Sequence, residues 1–342
     1  MLQLTRSRGG FMSELSSIVL KLIDEGYSIN EICSYLNISR KQITNVFRGL
    51  RMLGMEFNKK FYADGEIIYV PKKDISYETR KNNVNIITNS RCDTFKVMVI
   101  SDPHIGNELE AEDAFDKIYN YCIVNNIHNI IIAGDFLDGI NVGVEDYKKH
   151  NDPLEQIKYA VNKYPYDNNI TNFLVMGNHD VDSLSSFGID FGTYLRNFRL
   201  DIIPVGYGYG RINIKNDRIF VTHPLCLGIE NNLDLNGNYL LLKGHHHVNK
   251  SIIANNGSAS IAVPSISNLF LSDNEFLPGA LVINLKFKNG FFDTVYIDNL
   301  LINDRVNVVS TLQYSITPSK DRKFDGTISY EEDFSKRRLL KK

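Results

Sequence analysis

The stretch Ile127-His128-Asn129-Ile130-Ile131-Ile132-Ala133-Gly134-Asp135-Phe136-Leu137-Asp138 decides how this 342-residue chain folds. Its first seven residues are mostly apolar and β-branched in a run too short for a helix, the composition of a buried strand. The run stops at a glycine and passes at once into G-D-x-x-D. The same arrangement recurs four times. Asp102-Pro103-His104 follows the run 95–100, Gly177-Asn178-His179-Asp180 follows 172–176, Thr222-His223 follows 218–221, and Gly244-His245-His246-His247 follows 239–242. In an α/β sheet the carboxyl ends of the strands open on one crevice, so five polar clusters far apart in the chain converge there.

Working outward, helical patterns near 110–125, 153–163 and 190–197 alternate with these strands, the texture of an α/β domain. After Gly244 the pattern turns all β, with strands expected at 251–254, 258–263, 279–287 and 290–297. This region is placed at 94–300, followed by a C-terminal extension 301–342 whose end, 336–342, is basic. Upstream, the polar stretch 71–93 reads as a linker, so residues 1–93 make a separate N-terminal module plus linker.

The residue types of the five clusters fit a pair of divalent cations. Two such ions about 3.5–4 Å apart repel, so a carboxylate must bridge them while further Asp, His and Asn side chains complete each shell. Mixed imidazole and carboxylate donors suit Mn, Fe, Co, Ni or Zn better than Ca or Mg. Ions of this kind grip phosphoryl oxygens and lower the pKa of a coordinated water to about 7, which supplies hydroxide for in-line attack. Gly134, Gly177 and Gly244 are expected to permit sharp turns beside the ligands.

D-x-H, G-D-x-x-D, G-N-H-D, a lone histidine and G-H-x-H, in this order, resemble the motifs of the calcineurin-like metallophosphoesterase family. The resemblance implies a four-layer αββα sandwich and a binuclear phosphoesterase holding two divalent metal ions, with manganese the leading candidate. It makes Asp102, His104 and His247 ligands of one metal, Asp135 the bridge, and Asn178, His223 and His245 ligands of the second. His179 resembles the family's catalytic histidine, and Asp138 the carboxylate that orients it and keeps it protonated. His246 occupies the variable position of G-H-x-H, where solvent or substrate contact is expected, and Asp180 is expected to support the structure. His128 and His150 carry no motif and are expected on the surface. In the Ser/Thr protein phosphatase branch an arginine follows the second aspartate of the second motif; here that position is Gly139, and the third motif ends in Asp180 where that branch has Glu. The pattern is similar instead to phosphodiesterases, cyclic-nucleotide hydrolases and double-strand-break repair nucleases of the family.

The N-terminal module reads as three short helices within 12–53. Leu15, Ile18, Val19, Leu22 and Ile23 make an inward face that stops at Gly26. Ser28 with Glu31 and Ser39 with Gln42 are capping boxes opening the next two helices. Their buried stripes are Ile29, Ile32, Cys33 and Leu36, then Ile43, Val46, Phe47 and Leu50. Runs at 57–62 and 66–70 flank Asp64-Gly65, a hairpin signal, so a wing follows. The module looks like a helix-turn-helix whose last helix reads DNA through Arg40, Lys41, Gln42, Asn45, Arg48 and Arg51. Residues 1–93 hold 14 Lys+Arg against 10 Asp+Glu, while the remainder holds 24 against 30, consistent with a DNA-facing front and a carboxylate-bearing catalytic region.

The leading expectation is therefore a DNA-directed phosphodiesterase or nuclease. The alternatives are a phosphatase or nucleotide phosphodiesterase with a regulatory N-terminal module, and a non-catalytic DNA-binding regulator. Cys33, Cys92, Cys122 and Cys226 lack metal or redox spacing and read as buried free thiols of a cytoplasmic protein. Neither a secretory signal nor an apolar run of membrane-spanning length is expected, and Met12 is a possible start.

Overall fold

A computed structural model describes residues 14–52, 55–71, 82–89, 92–111, 113–142, 147–224, 239–253, 258–268 and 278–316. The chain divides into two compact units, residues 1–60 with 66–77 and residues 61–65 with 78–342.

The first unit holds α1 (Glu14–Asp24), α2 (Ile29–Leu36), α3 (Arg40–Met52), the first four residues of β1 (Phe57–Tyr62) and β2 (Ile67–Pro71), while Phe61 and Tyr62 at the end of β1 belong to the second unit. Both capping boxes form. Glu31 N donates to Ser28 Oγ while Ser28 N donates to Glu31 Oε2, and Ser39 and Gln42 exchange the equivalent pair of bonds. Asn37 closes α2 in the left-handed region, which gives the tight turn before α3. Val19, Leu22, Ile23, Ile29, Ile32, Ile43, Val46, Phe47 and Leu50 are buried, and the Phe47 ring packs 4.3 Å from Tyr69 and 5.0 Å from Phe57. Ile18 departs from its expected inward place, at 39% exposed, because the contact made by α1 is narrower than its apolar face.

The second unit is built on a seven-stranded sheet in the order β15-β14-β13-β4-β5-β6-β7. Its strands are β4 (Thr94–Ile100), β5 (Asn129–Ala133), β6 (Thr171–Met176), β7 (Ile202–Tyr207), β13 (Gly279–Lys288), β14 (Phe291–Ile302) and β15 (Val306–Ser315). β4 to β7 run parallel, and β13, β14 and β15 add antiparallel beyond β4. One face carries Met98, Ile100, Ile130, Ile132, Leu174 and Met176 against α4 (Ala114–Val124), α5 (Pro153–Lys163) and α7 (Phe191–Phe198). The alternate residues Val97, Val99, Ile131, Phe173 and Val175 are fully buried too, and Phe61 meets Phe173 edge-on with ring centroids 5.3 Å apart. That second face packs on another sheet, as expected of parallel strands buried on both sides.

The other sheet runs β11 (Lys250–Ile253), β12 (Ala259–Ala262), β10 (Leu240–Lys243), β9 (Asp217–Thr222), β8 (Tyr209–Ile214) and β3 (Asn83–Ile87), where Ile86 and Ile87 pair with Phe61 and Tyr62. Among the described residues, three of the four expected layers are therefore present. Residues 83–87, read as linker, form β3, and 306–315 of the expected extension form β15. β7, β8 and α6 (Asn178–Phe187) had no counterpart in the sequence reading.

Among the described residues no helix is long and apolar enough to cross a membrane. Cys122 is buried, but Cys33 and Cys92 are only half-buried, and the Cys92 thiol donates to Thr94 O. His128 and His150 are half-buried rather than fully on the surface; the His150 ring packs 4.8 Å from Tyr159. Met12, Cys226 and the basic end 336–342 lie outside the described residues.

Candidate metal centre

β4, β5, β6, β9 and β10 all end at one edge of the second unit, and the five clusters are the residues that follow them. Three overlapping sets of side chains meet there: Asp102, His104 and His247; His104, Asp135 and His179; and Asp135, His223 and His245, with the donor atoms of each set within 4.8 Å of one another. Asn178 opens α6 beside them. The backbone is distorted to achieve this. Of nine non-glycine residues with positive φ among those described, five are Asp102, Asp135, His104, His245 and His247. Each such residue costs about 1–3 kcal/mol, and strain of this kind gathers at functional sites.

Close approach, more than turning, explains the glycines. A Cβ on Gly134 would lie 2.1 Å from His223 Nδ1, one on Gly177 2.1 Å from Asp135 Oδ1, and one on Gly244 1.9 Å from Ala133 O. Only Gly134 of the three also needs positive φ.

The donor atoms face one another. His223 Nδ1 lies 2.8 Å from Ala133 O, which accepts only, so Nδ1 carries hydrogen and Nε2 is left to take a proton or a cation. That Nε2 is 2.9 Å from Asp135 Oδ2, yet it is buried without a hydrogen-bond partner. His104 Nε2 and His247 Nε2 stand 3.3 Å apart, His247 Nε2 is 3.2 Å from Asp102 Oδ1, and Asn178 Oδ1 is buried with no partner. Buried lone pairs aimed at lone pairs are unfavourable unless a positive charge lies between them. The donor set, three imidazole-rich groups sharing carboxylates, fits divalent transition-metal ions.

Protonation follows the same logic. Burial pushes the Asp135 carboxyl up, but His223, His104 and His179 outweigh it and hold it below the usual range. Asp102 is lowered likewise against its burial, by His247 and His223. Burial opposes charge on His223, but Asp135 and Asp102 drive it up to about 9. His104 rises against burial through Asp138, Asp135 and Asp102. These histidines take up protons where cations would serve, and binding a cation must displace them.

His179 and Asp138 meet differently from the sequence expectation. His179 Nδ1 bonds to the backbone carbonyl of Asp138, while the Asp138 carboxylate turns to His104 Nδ1 at 3.4 Å and accepts from Asn107 Nδ2 at 3.0 Å. Burial lowers the His179 pKa, aided by His104, despite the raising effect of Asp135. The Asp138 carboxylate thus faces His104 rather than the His179 ring, and its raising effect on His179 is smaller than the lowering by burial. His179 Nε2 points inward, 3.9 Å from Asp135 Oδ2. His246 is exposed. Asp180 accepts from the N–H groups of Phe136, Leu137 and Gly177, so it fastens the G-D-x-x-D loop to the G-N-H-D turn. Ser101, Asn107, Glu110 and Asp182 also brace the loops, and sequence reading missed them because none belongs to a spaced motif.

In the N-terminal unit, Lys41, Gln42 and Asn45 of α3 are exposed, and Arg40, Arg48 and Arg51 are half-buried. Arg40 bonds to Asn30, Arg48 to Asn45, and Arg51 lies over the Phe47 ring at 5.9 Å.

The chain is similar to several solved structures. The phosphoesterase YfcE from E. coli is 18% identical, with 64% of this chain and 98% of that chain covered and a TM-score of 0.38. A dimetal phosphatase from Danio rerio is 12% identical, with 66% and 99% covered and a TM-score of 0.39. Vacuolar protein sorting 29 from Cryptosporidium parvum is 16% identical, with 66% and 100% covered and a TM-score of 0.39. Among curated proteins no sequence matches. The sequence model of the calcineurin-like phosphoesterases matches residues 95–309, well over half of the chain and all five clusters, and the chain belongs to that family of metal-dependent phosphoesterases.

Proposed function

We propose that the centre holds two divalent cations and hydrolyses phosphodiesters of DNA, with the N-terminal unit as the DNA-binding part. Asp102, His104 and His247 would hold one cation and Asn178, His223 and His245 the other, with Asp135 shared between them. The observation that carries the assignment is the set of buried, unpartnered donor atoms, Asn178 Oδ1 and His223 Nε2 above all. When bound, the cations, manganese in the leading reading, supply Lewis acidity toward phosphoryl oxygens and activate a water for attack.

The chain's own residues do the rest. Asp135 is fixed by the His179 N–H at 2.9 Å, and Asp102 by the His245 N–H, so neither carboxylate must reorganise when substrate arrives. His179 keeps its Nδ1 hydrogen on the Asp138 carbonyl, which leaves Nε2 as the atom that takes up a second proton from solvent and, as the imidazolium, passes it to the departing oxygen. Gly139 stands where an arginine grips phosphate in the protein phosphatase branch, which weighs against a phosphoprotein substrate.

The DNA-directed part rests on the exposed, basic face of α3, in which Lys41, Gln42 and Asn45 are free of burial. The cytoplasmic setting inferred from the free thiols belongs to the same reading. A phosphatase or nucleotide phosphodiesterase with a regulatory N-terminal unit is the second reading, favoured by the bonds that tie Arg40 and Arg48 to neighbours.

An Mn-supplemented assay across single-stranded DNA, duplex DNA, cyclic nucleotides and a phosphopeptide separates them. Turnover of the phosphopeptide without DNA cleavage rejects the DNA-directed reading. Asp135→Asn should abolish activity on every substrate, and retained activity refutes the assigned cage. Gel shifts with Arg40→Glu and Lys41→Glu test the N-terminal unit alone, since loss of binding is expected whatever the catalytic state.

A further inference from the structure

Two carboxylates of α6 grip the loop that follows β5. Asp180 holds the part nearest Asp135, as described. Asp182, 6% exposed, holds the far part: its Oδ2 accepts from Ile140 N at 2.7 Å and from Asn141 N at 2.8 Å, and its Oδ1 accepts from Ser186 Oγ at 3.0 Å. Between these two grips lies the Asp138-Gly139 peptide, whose Asp138 carbonyl receives His179 Nδ1. Gly139 presses on the same helix, where a Cβ would sit 3.1 Å from His179 O and 3.6 Å from Asp182 Cβ. From the other side Gln156 of α5 accepts from Gly139 N at 2.9 Å and donates to Gly139 O.

We infer that Asp182 is a positioning residue for His179: by pinning the Ile140 and Asn141 N–H groups it fixes the Asp138 carbonyl, and that carbonyl sets the tautomer and direction of the imidazole. The inference rests on the reading of His179 as the proton donor to the leaving group. Asp180 and Asp182 then divide the work. Asp180 ties Phe136 and Leu137, next to Asp135, to Gly177, next to Asn178, whereas the N–H groups that Asp182 holds, those of Ile140 and Asn141, lie just beyond the Asp138-Gly139 peptide. An accepting carboxylate on two consecutive N–H groups is a strong, geometrically defined hold. Loss of a supporting contact of this kind typically lowers activity about 10- to 100-fold.

The test is a set of variants assayed with Mn on aryl phosphodiesters whose leaving phenols run from p-nitrophenol to unsubstituted phenol. Asp182→Ala should lower kcat roughly 10- to 100-fold on the phenol ester, much less on the p-nitrophenol ester, which needs no proton to leave, with KM and metal content retained. Asp182→Asn, whose amide oxygen still accepts from both N–H groups, should recover part of the loss. In a His179→Ala background Asp182→Ala should cost nothing further, because groups that act as one unit are non-additive. A loss equal for every leaving group, a loss that follows metal content, or full additivity with His179→Ala overturns the inference while leaving the acid role of His179 intact. His179→Ala with undiminished kcat on the phenol ester overturns that role itself. If Asp182→Ala does not fold, the cycle is run with Asp182→Asn, and an additive result there is equally fatal.

Discussion

Gly177→Ala isolates the geometry of the centre from the stability of the fold. Gly177 has φ −91° and ψ −173°, extended backbone that alanine adopts without strain, so the whole effect is steric. The added Cβ would lie 2.1 Å from Asp135 Oδ1, 2.6 Å from Asp135 N and 2.6 Å from His223 Cδ2. An ordinary contact is about 3.5 Å, so Asp135 or the turn must retreat by more than about 1 Å. A misplacement of that size costs about 100-fold in rate, because the reacting groups lose their alignment. The assay is kcat on bis(p-nitrophenyl) phosphate, metal content of the purified protein and far-ultraviolet circular dichroism. Loss of activity, weakened metal retention and a native spectrum are expected. Gly188→Ala is the control: φ is +70° at the end of α6 and nothing lies within 4 Å of the new Cβ, so about 1 kcal/mol of stability is lost and kcat is kept. A Gly177→Ala protein with normal kcat and metal content refutes the assignment of Asp135 to the centre.

Chelation should lower the melting temperature. Cations at 100 times their dissociation constant stabilise the folded state by about 2.7 kcal/mol, or roughly 4 °C at this size, and an unchanged melt counts against a site that the fold preforms. Burial pushes the Cys122 thiol up to about 12, so at pH 8 only about one molecule in ten thousand carries the thiolate; maleimide labelling read by mass spectrometry should spare Cys122 until the protein unfolds. Arg199 donates to both oxygens of Asp201 and to the carbonyls of Val161, Tyr164 and Pro165. Arg199→Met leaves that buried carboxylate and three carbonyls unpaired, and a denaturant melt should show a loss of about 3–5 kcal/mol with kcat unchanged.

The elements that sequence revealed are those with local signals. Asp152 and Pro153 announce α5, and Asp152 does accept from Glu155 N at the cap. The five clusters were legible because strand ends, glycines and ligand types coincide. β3 was not, since Asn83–Ile87 is short and polar-flanked and gains its place by pairing with β8 and with Phe61 and Tyr62 far along the chain. α6 was hidden because its first turn is the G-N-H-D motif, whose residues look like a loop. Asp138 shows the limit of a motif most clearly: the residue type was right for the neighbourhood, but spacing says nothing of which atom faces His179. The carbonyl does, and the carboxylate serves His104 instead.

Why the chemistry is legible while the substrate is not has a physical answer in the backbone. The strained residues of the clusters are cross-braced, cluster to cluster: Asp102 N donates to Gly134 O, His104 N to Asp135 O and Gly244 N to Thr222 O. Each loop therefore fixes the next, and the positive φ values at Asp102, His104, Asp135, His245 and His247 are sustained by strands buried on both faces. A centre held in this way tolerates few residue types, and so it writes a motif into the sequence. The α3 face obeys no such constraint. Lys41, Gln42 and Asn45 sit on an ordinary helix surface where many polar residues fold equally well, and whatever they recognise is set by their exposed ends alone.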